Sequence, residues 1–382
     1  MSELPVSDEA YQDEILPHVS RTFALTIPQL PAALRTAVTS AYLLCRIADT
    51  IEDEPALSAE DTYRFLRRFT QVVQGKEDAG QFAREVLPRL TEHTLAAERD
   101  LLANTARVMR VVERFEPRQR AAIRRCIEVM SHGMHQFQRT ASVRGLARSS
   151  DLDAYCYYVA GIVGETLTEL FCGYSRQIER HHAELYALAP SFGQGLQMTN
   201  ILKDVWEDRA RGACWLPQEL FTRHGVDLAA LTPASSDARF QAGMLELIGI
   251  AHRHLRNALA FTLLIPGEEV GIRRFCLWAI GLAALTLRKI QDNPGFTAGR
   301  EVKVSRSAVA MTQTLTNLSV RNDGMLRRLF ERAARGLPLA AGEVPLRPAG
   351  VPGGALAETD EDEEQNAAAA YSGGVHCGGR SP

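Results

Sequence analysis

Two acidic clusters, each written at the spacing of a single helix face, constrain this chain more than any other feature. The first is Asp49-Thr50-Ile51-Glu52-Asp53. The second, about 150 residues on, is Asn200-Ile201-Leu202-Lys203-Asp204-Val205-Trp206-Glu207-Asp208. In each, two aspartates stand at i and i+4, which on a helix stacks both carboxylates on one side. Tyr42, Arg46, Asp49 and Asp53 follow a 4-3-4 spacing, and Gln197, Asn200, Asp204 and Asp208 a 3-4-4 spacing, so each cluster extends into a polar stripe. Apolar helical pattern leads into both, through residues 41–48 and through Leu196, Met198, Ile201 and Leu202. One acidic pair alone reads as a solvated helix end. Two pairs with so many apolar neighbours do not. Carboxylates at the edge of an apolar helix are costly to bury bare, and several facing one another repel unless a cation lies between them. Hard oxygen ligands suit Mg²⁺, which typically takes one or two carboxylates plus substrate phosphates. The pattern predicts two Asp-bearing helices closing on a Mg²⁺-held diphosphate.

The rest of the chain supplies helices to carry those stripes. No period-2 alternation runs longer than four or five residues, and no hairpin dipeptide separates apolar runs. The fold class is therefore all-α, with about ten helices expected in one domain over residues 18–336. Residues 1–17 read as a leader. Helices are expected over 31–53, over 58–73 behind the capping box Ser58-x-x-Asp61, and as two or three long amphipathic helices over 81–114 and 117–141 together. Asp151 is expected to cap a helix reaching Tyr174, and 181–209 a helix pair broken near Pro190. Further helices are expected over 237–264, 268–290 and 305–334. From about Gly336 the composition turns to Gly, Pro and Ala and then to a run of acids, so 337–382 reads as a disordered tail. There is no internal repeat.

Composition narrows the function classes. A net charge of −3 gives no general attraction to nucleic acid or to an anionic membrane. Seven scattered cysteines without a Cys-x-x-Cys pair argue against a zinc site or disulfide framework and for a reducing, cytoplasmic compartment. The longest apolar run, residues 275–287, is thirteen residues, short of the roughly 20 a spanning helix needs. No transmembrane segment is expected, a peripheral contact with the inner membrane face is left open, and a monomer is expected. Neither a P-loop nor a dinucleotide fingerprint after a strand is present.

Lesser constellations carry two readings each. The stretch Tyr155-Cys156-Tyr157-Tyr158-Val159-Ala160-Gly161-Ile162-Val163-Gly164 suits either close helix packing or the wall of a site for a bulky apolar ligand. Arg21, Arg46 and Lys203 are candidate phosphate ligands, the last two strengthened by lying within a turn of an acidic cluster. His132 and His135 read as core or pocket polar residues, since no carboxylate or cysteine accompanies them. Lys303 and Arg306 flank a helix start, a weak phosphate-site pattern.

Together these residues resemble the head-to-head prenyl synthases, the squalene and phytoene synthases, over roughly residues 18–330. The resemblance is carried in order by Ser20-Arg21-Thr22-Phe23, by Tyr42-x-x-x-Arg46-x-x-Asp49-Thr50-Ile51-Glu52-Asp53, by Tyr155-x-x-x-Val159-Ala160-Gly161-x-Val163-Gly164, and by Gln197-x-x-Asn200-Ile201-Leu202-Lys203-Asp204-x-x-Glu207-Asp208. The segment from Arg273-Arg274-Phe275-Cys276 to Val302-Lys303-Val304-Ser305-Arg306 resembles the squalene synthase branch, although Ser305 stands where that branch often shows a base.

The resemblance implies a helical bundle with a large central cavity and a condensation of two farnesyl diphosphates through presqualene diphosphate, followed by NADPH-dependent reduction. It implies Mg²⁺ ligands Asp49, Asp53, Asp204 and Asp208, supported by Glu52, Glu207, Gln197 and Asn200. Arg21, Arg46 and Lys203 would neutralise the leaving group, and Tyr155 or released diphosphate would take the proton. Ser20, Phe23, Tyr42, Val159, Val163, Leu167 and Phe275 would face the substrate, and Lys303 and Arg306 the NADPH phosphate. The rival readings are a phytoene, dehydrosqualene or hydroxysqualene synthase without the reductive step, a head-to-tail prenyl synthase or terpene cyclase, and a helical scaffold with merely superficial acidic pairs.

Overall fold

The structure is a computed structural model that describes residues 7–344, except 21, 140, 141 and 236, together with 347 and 348. Its described residues form helices and turns with one isolated bridge, Leu146 to Pro217, and no strand. The N-terminal half runs α1 (Asp8–Val19), α2 (Phe23–Thr26), α3 (Ala32–Glu52), α4 (Ala59–Val73), α5 (Ala79–Val86), α6 (Ala96–Ala103), α7 (Thr105–Val112) and α8 (Pro117–Gln138). Then come α9 (Ser149–Cys156), a π-helical stretch at Tyr157–Gly161, α10 (Ile162–Tyr174), α11 (Arg176–Glu179), α12 (His182–Lys203), α13 (Val205–Ala210) and α14 (Gln218–Arg223). The chain continues through α15 (Ala238–Leu264), α16 (Val270–Asp292), α17 (Arg306–Ser319) and α18 (Asp323–Ala333).

Two apolar cores form. One gathers α1 and α3 to α8 around Leu43, Ile47, Phe65, Phe69 and Phe82. The other gathers α9 to α16 around Phe171, Phe221, Leu255, Phe261 and Phe275. Tyr42, Val159 and Val163 are only partly buried and pack against both cores, so they mark the cleft between them. The two cores are joined where α10 packs on α8 and α12. At the α10–α12 crossing a Cβ on Gly164 would stand 2.0 Å from the Ala189 carbonyl oxygen, and one on Gly193 would stand 1.9 Å from that of Ala160. Close packing is therefore what Gly164 supplies, while Val159 and Val163 beside it stay partly buried.

Several expected boundaries move. The leader reading of residues 1–17 fails from Asp8 onward: α1 buries Tyr11, Ile15, Leu16 and Val19, and Asp8 pairs with Arg107 and Arg110. The 81–114 stretch is cut by Pro88 and by a loop in which Thr91 and Thr94 donate to the buried Glu54. Asp151 is not the cap of α9. It stands one turn in and accepts from the Arg148 amide at 2.9 Å.

Pro190 breaks nothing, because α12 runs through it. The break comes instead at Asp204, whose φ of −98° and ψ of 15° separate α12 from α13. The last expected helix is two, since Arg273 takes the Val320 carbonyl and Asn322 caps α18. The tail does not begin at 337: Leu337 is buried, and Pro338 and Ala340 hydrogen-bond to α15 through His252, Gly249 and Arg253. The remainder of the 337–382 reading, from residue 349, lies outside the described residues.

The apolar segment around Phe275 is longer than its sequence run. Helix α16 has 23 residues and passes by length and composition as able to cross a membrane, yet 61% of its most apolar window is buried in the protein. It packs as a core helix.

Candidate active site

The first acidic cluster sits at a helix C-terminus, and the second spans the end of α12 and the first turn of α13. Asp49 and Glu52 close α3, and Asp53 caps it, its amide donating to the Asp49 carbonyl at 2.8 Å. At the second cluster the Asp204 kink does not disperse the stripe, because the Asp208 amide still donates to the Asp204 carbonyl at 2.9 Å. The helix macrodipole is negative where Asp49, Glu52, Asp53 and Asp204 stand, so these carboxylates gather where a negative charge is unwelcome, whereas Glu207 and Asp208 lie in the favourable first turn of α13.

The two clusters reach the same place. The Asp208 carboxyl is pushed up chiefly by burial and also by the charges of Asp204 and Asp53. The Tyr155 phenol is held well above its ordinary range by burial and then by Glu52, Cys156, Asp53 and Asp208. A phenol that feels Glu52 and Asp53 from α3 and Asp208 from α13 stands between the clusters. Its ring is stacked on Trp215 at 4.1 Å and meets the edge of Phe137 at 5.4 Å.

Burial pushes Asp49 up to about 6, with Asp53 and Glu98 adding to the rise and Arg46 opposing it. Burial also raises Glu52 well above the carboxylate range, helped by Asp53 and Asp49. Asp53 rises for the same first cause although Arg211 and Arg46 oppose it. The Asp49 side chain keeps 33% of its surface accessible. These carboxylates therefore line a recess, reachable by solvent yet walled by protein.

Cations are threaded between them. Arg46 lies 3.6 Å from Asp49 and 4.0 Å from Glu98, and donates to the Tyr42 hydroxyl at 3.3 Å. Burial opposes its charge, and those three partners outweigh burial. Tyr42 in turn donates to the Val19 carbonyl at 3.0 Å, which fixes the stripe to the end of α1. Lys203 lies 3.0 Å from Asp204 and 3.5 Å from the Asn200 side-chain oxygen. Glu207 accepts from the Gly299 amide at 2.8 Å, and a Cβ on Gly299 would come within 2.8 Å of Asp204. Gln197 is half-buried and Asn200 exposed on the same stripe.

The apolar candidates gather below. Phe23 lies 5.3 Å from the Tyr42 ring and 6.4 Å from Phe275, which is itself sealed from solvent and 6.2 Å from Phe171. Val159 and Val163 face the cleft, while Leu167 is buried behind them. The Ser20 hydroxyl accepts from the Phe23 amide at 3.1 Å and so starts α2. Arg21 lies outside the described residues. Lys303 and Arg306 are exposed and follow the Gly299–Val302 turn, whose Gly299 amide donates to Glu207. His132 and His135 face Tyr158 and Tyr63.

Three neighbours escaped the sequence reading. Arg211 donates to Asp208 at 2.5 Å and its charge is felt at Asp53. Its place three residues past Asp208 is an i, i+3 signal that could have found it. Trp215 and Gln138, which donates to the Glu52 carbonyl at 3.1 Å, come from distant elements and left no local signal.

Among the described residues, no three His, Cys, Asp or Glu side chains converge as a complete metal-binding group. The donors present are all oxygen, and burial, reinforced at Asp49, Glu52 and Asp208 by neighbouring carboxylates, raises Asp49, Glu52, Asp53 and Asp208, a condition a hard cation relieves. The residues thus fit Mg²⁺ in the mode that completes its shell with phosphate.

Comparison with known proteins bears on the family and the fold. The squalene/phytoene synthase family model matches residues 16–308. The chain is 30% identical over 289 residues to Squalene synthase ERG9 of Candida albicans, covering 74% of this chain and 61% of that protein. It is 29% identical over 320 residues to Squalene synthase BSS of Botryococcus braunii, covering 81% and 65%. It therefore spans about 61% of the length of the first of these curated relatives. Among solved structures, TcSQS with the ligand BPH1237 superposes with a TM-score of 0.66 at 24% identity, covering 86% of this chain and 98% of that one. A dehydrosqualene synthase with bound ligand superposes at 0.59 and 24% identity, covering 80% and 94%. With its helical fold, its paired acidic helix ends and a family match over most of its length, the chain belongs to the squalene/phytoene synthase family.

Proposed function

We propose that this protein is a squalene synthase, joining two farnesyl diphosphates head to head and reducing the presqualene diphosphate so formed. The observation that carries the reading is the meeting of two acidic helix ends around Tyr155, with Arg46, Lys203 and Arg211 set among them. Asp49, Asp53, Asp204 and Asp208 would hold Mg²⁺, with Glu52, Asn200 and Glu207 in support. When bound, Mg²⁺ supplies positive charge to the departing diphosphate oxygens.

The remaining work belongs to the chain's own groups. Arg46, Lys203 and Arg211 would donate to the diphosphate, stabilising charge as it develops on the leaving oxygen. Tyr42, Val159, Val163 and Phe23, backed by Phe275, would keep water from the allylic cation, which water would otherwise trap as an alcohol. Burial and the neighbouring carboxylates hold the Tyr155 phenol above its ordinary range. Tyr155 or the released diphosphate would take the proton lost on cyclopropane closure.

For the reductive half, Lys303 and Arg306 offer two exposed cations at the start of α17, suited to the phosphate of a nicotinamide nucleotide. When bound, NADPH supplies a hydride. A cytoplasmic location and a monomer belong to the same proposal.

The test is incubation with farnesyl diphosphate and Mg²⁺, with and without NADPH, and mass spectrometry of the extract. Squalene with NADPH and presqualene diphosphate without it is the expected result. Dehydrosqualene or hydroxysqualene regardless of NADPH would remove the reductive step. Phytoene from geranylgeranyl diphosphate alone would move the chain to the carotenoid branch.

A further inference from the structure

Helix α17 is built inside out. It buries Thr316 and Ser319 and turns Met311, Leu315 and Leu318 to solvent, with Leu318 81% and Met311 59% exposed. Those three stand at i, i+4 and i+7, one face of the helix. A helix at home in water does the reverse, as α4 does by burying Phe65, Leu66, Phe69 and Val72. Met325 of α18 adds a further exposed apolar side chain. Beneath the stripe, α16, α17 and α18 enclose an apolar cavity of about 250 Å³ lined by Leu277, Ile280, Leu285, Met311 and Leu315.

The charge around this face is opposite to that of the whole. The chain carries −3 overall, while residues 306–335 hold six arginines against two acids. Both acids are engaged elsewhere: Asp323 pairs with the buried Arg273 at 2.7 Å and Glu331 with Arg256 at 2.8 Å. Arg321, Arg327 and Arg328 are exposed and make no ion pair among the described residues. An outward apolar stripe edged by unpaired arginines is the pattern of a helix that lies in the interface of an anionic bilayer.

We infer that the α17–α18 face docks on an anionic lipid surface, with Met311, Leu315 and Leu318 in the acyl boundary and Arg321, Arg327 and Arg328 against the headgroups. Docking of this kind is separate from the reaction proposed above, since vesicle binding needs neither substrate nor turnover. It does explain why an apolar cavity opens on a face that would otherwise meet water.

The test is co-sedimentation of the full chain with vesicles of phosphatidylglycerol and phosphatidylcholine, against phosphatidylcholine alone. The protein is expected to pellet with the anionic vesicles and to be released by raised salt. The double variant M311E/L318E should lose about tenfold or more in partitioning, since two apolar side chains leave the acyl boundary. R327E/R328E should remove the preference for anionic over neutral vesicles. These positions are exposed, so unchanged melting and unchanged product formation in solution serve as the folding control. Wild-type protein that stays in the supernatant with anionic vesicles would overturn the inference, as would M311E/L318E pelleting like wild type. A dimer in analytical ultracentrifugation that M311E/L318E dissociates, with no vesicle binding, would assign the face to a second copy instead.

Discussion

Asp49 shows what the acidic site costs the folded chain. Its carboxyl stands near a helix C-terminus, is pushed up to about 6 by burial, and has Asp53 and Glu98 adding to the rise. A carboxyl whose folded value lies above its unfolded one opposes folding when ionised, so that penalty is present above about pH 6 and fades as pH falls toward 4. Asp49→Asn should therefore raise the melting midpoint in EDTA at pH 7.5, with the gain gone near pH 4.5, while turnover of farnesyl diphosphate falls by about 10² or more. Asp204→Asn should cut turnover to the same degree without unfolding the protein. Near-wild-type activity in either variant would remove the cation clamp from the mechanism. Arg211 works in the opposite direction on Asp208, holding down a carboxyl that burial raises. Arg211→Ala should shift the acid limb of the kcat/KM profile to higher pH, because Asp208 then keeps its proton longer. An unmoved limb would make Arg211 a bystander.

The helices reach the site by crossing closely, and Gly164 is one of the two points of closest approach, with Gly193 the other. A methyl group on Gly164 would overlap the Ala189 carbonyl oxygen at 2.0 Å, and backbone on both sides leaves nothing flexible to yield. Gly164→Ala should cost about 1–3 kcal/mol or more, read as a lowered midpoint in urea unfolding, and should widen the cleft at Val163. Gly173→Ala in the same helix meets nothing within 4 Å and should be neutral or stabilising by up to about 1 kcal/mol. If both behave alike, the crossing is not the constraint. The helical periodicity, the Ser58 cap and the two stripes were all legible in the sequence, because spacing along one helix encodes them. The Asp204 kink, the uninterrupted passage through Pro190 and the stacking of Trp215 on Tyr155 were not, since each depends on a partner from a distant element. The glycines could be read as packing or as a site wall until Ala189 appeared opposite.

At the scale of the whole molecule, the segment after α18 returns to brace the helices that carry the site. Pro190 lacks an amide hydrogen, so it cannot give the Tyr186 carbonyl one turn before it the usual helical hydrogen bond. Arg347 donates to that carbonyl at 2.8 Å. The same guanidinium donates to Glu165 at 2.7 Å, and Glu165 also takes hydrogen bonds from Tyr157, Tyr186 and Arg125 at 3.0, 2.7 and 3.0 Å. One side chain thus ties the π-helical stretch and α10 to α12 and supplies the donor that Pro190 withholds. Arg347→Ala should lower stability by about 1–3 kcal/mol, because it removes the hydrogen bonds to the Tyr186 carbonyl and to the buried Glu165. Pro190→Ala restores an amide at the empty position, so it should stabilise the Arg347→Ala protein more than it stabilises wild type. A double-mutant cycle in urea should return a coupling of about 0.5 kcal/mol or more. Strict additivity would mean that Arg347 acts on Glu165 alone and that the helix tolerates its proline without help from the C-terminal segment.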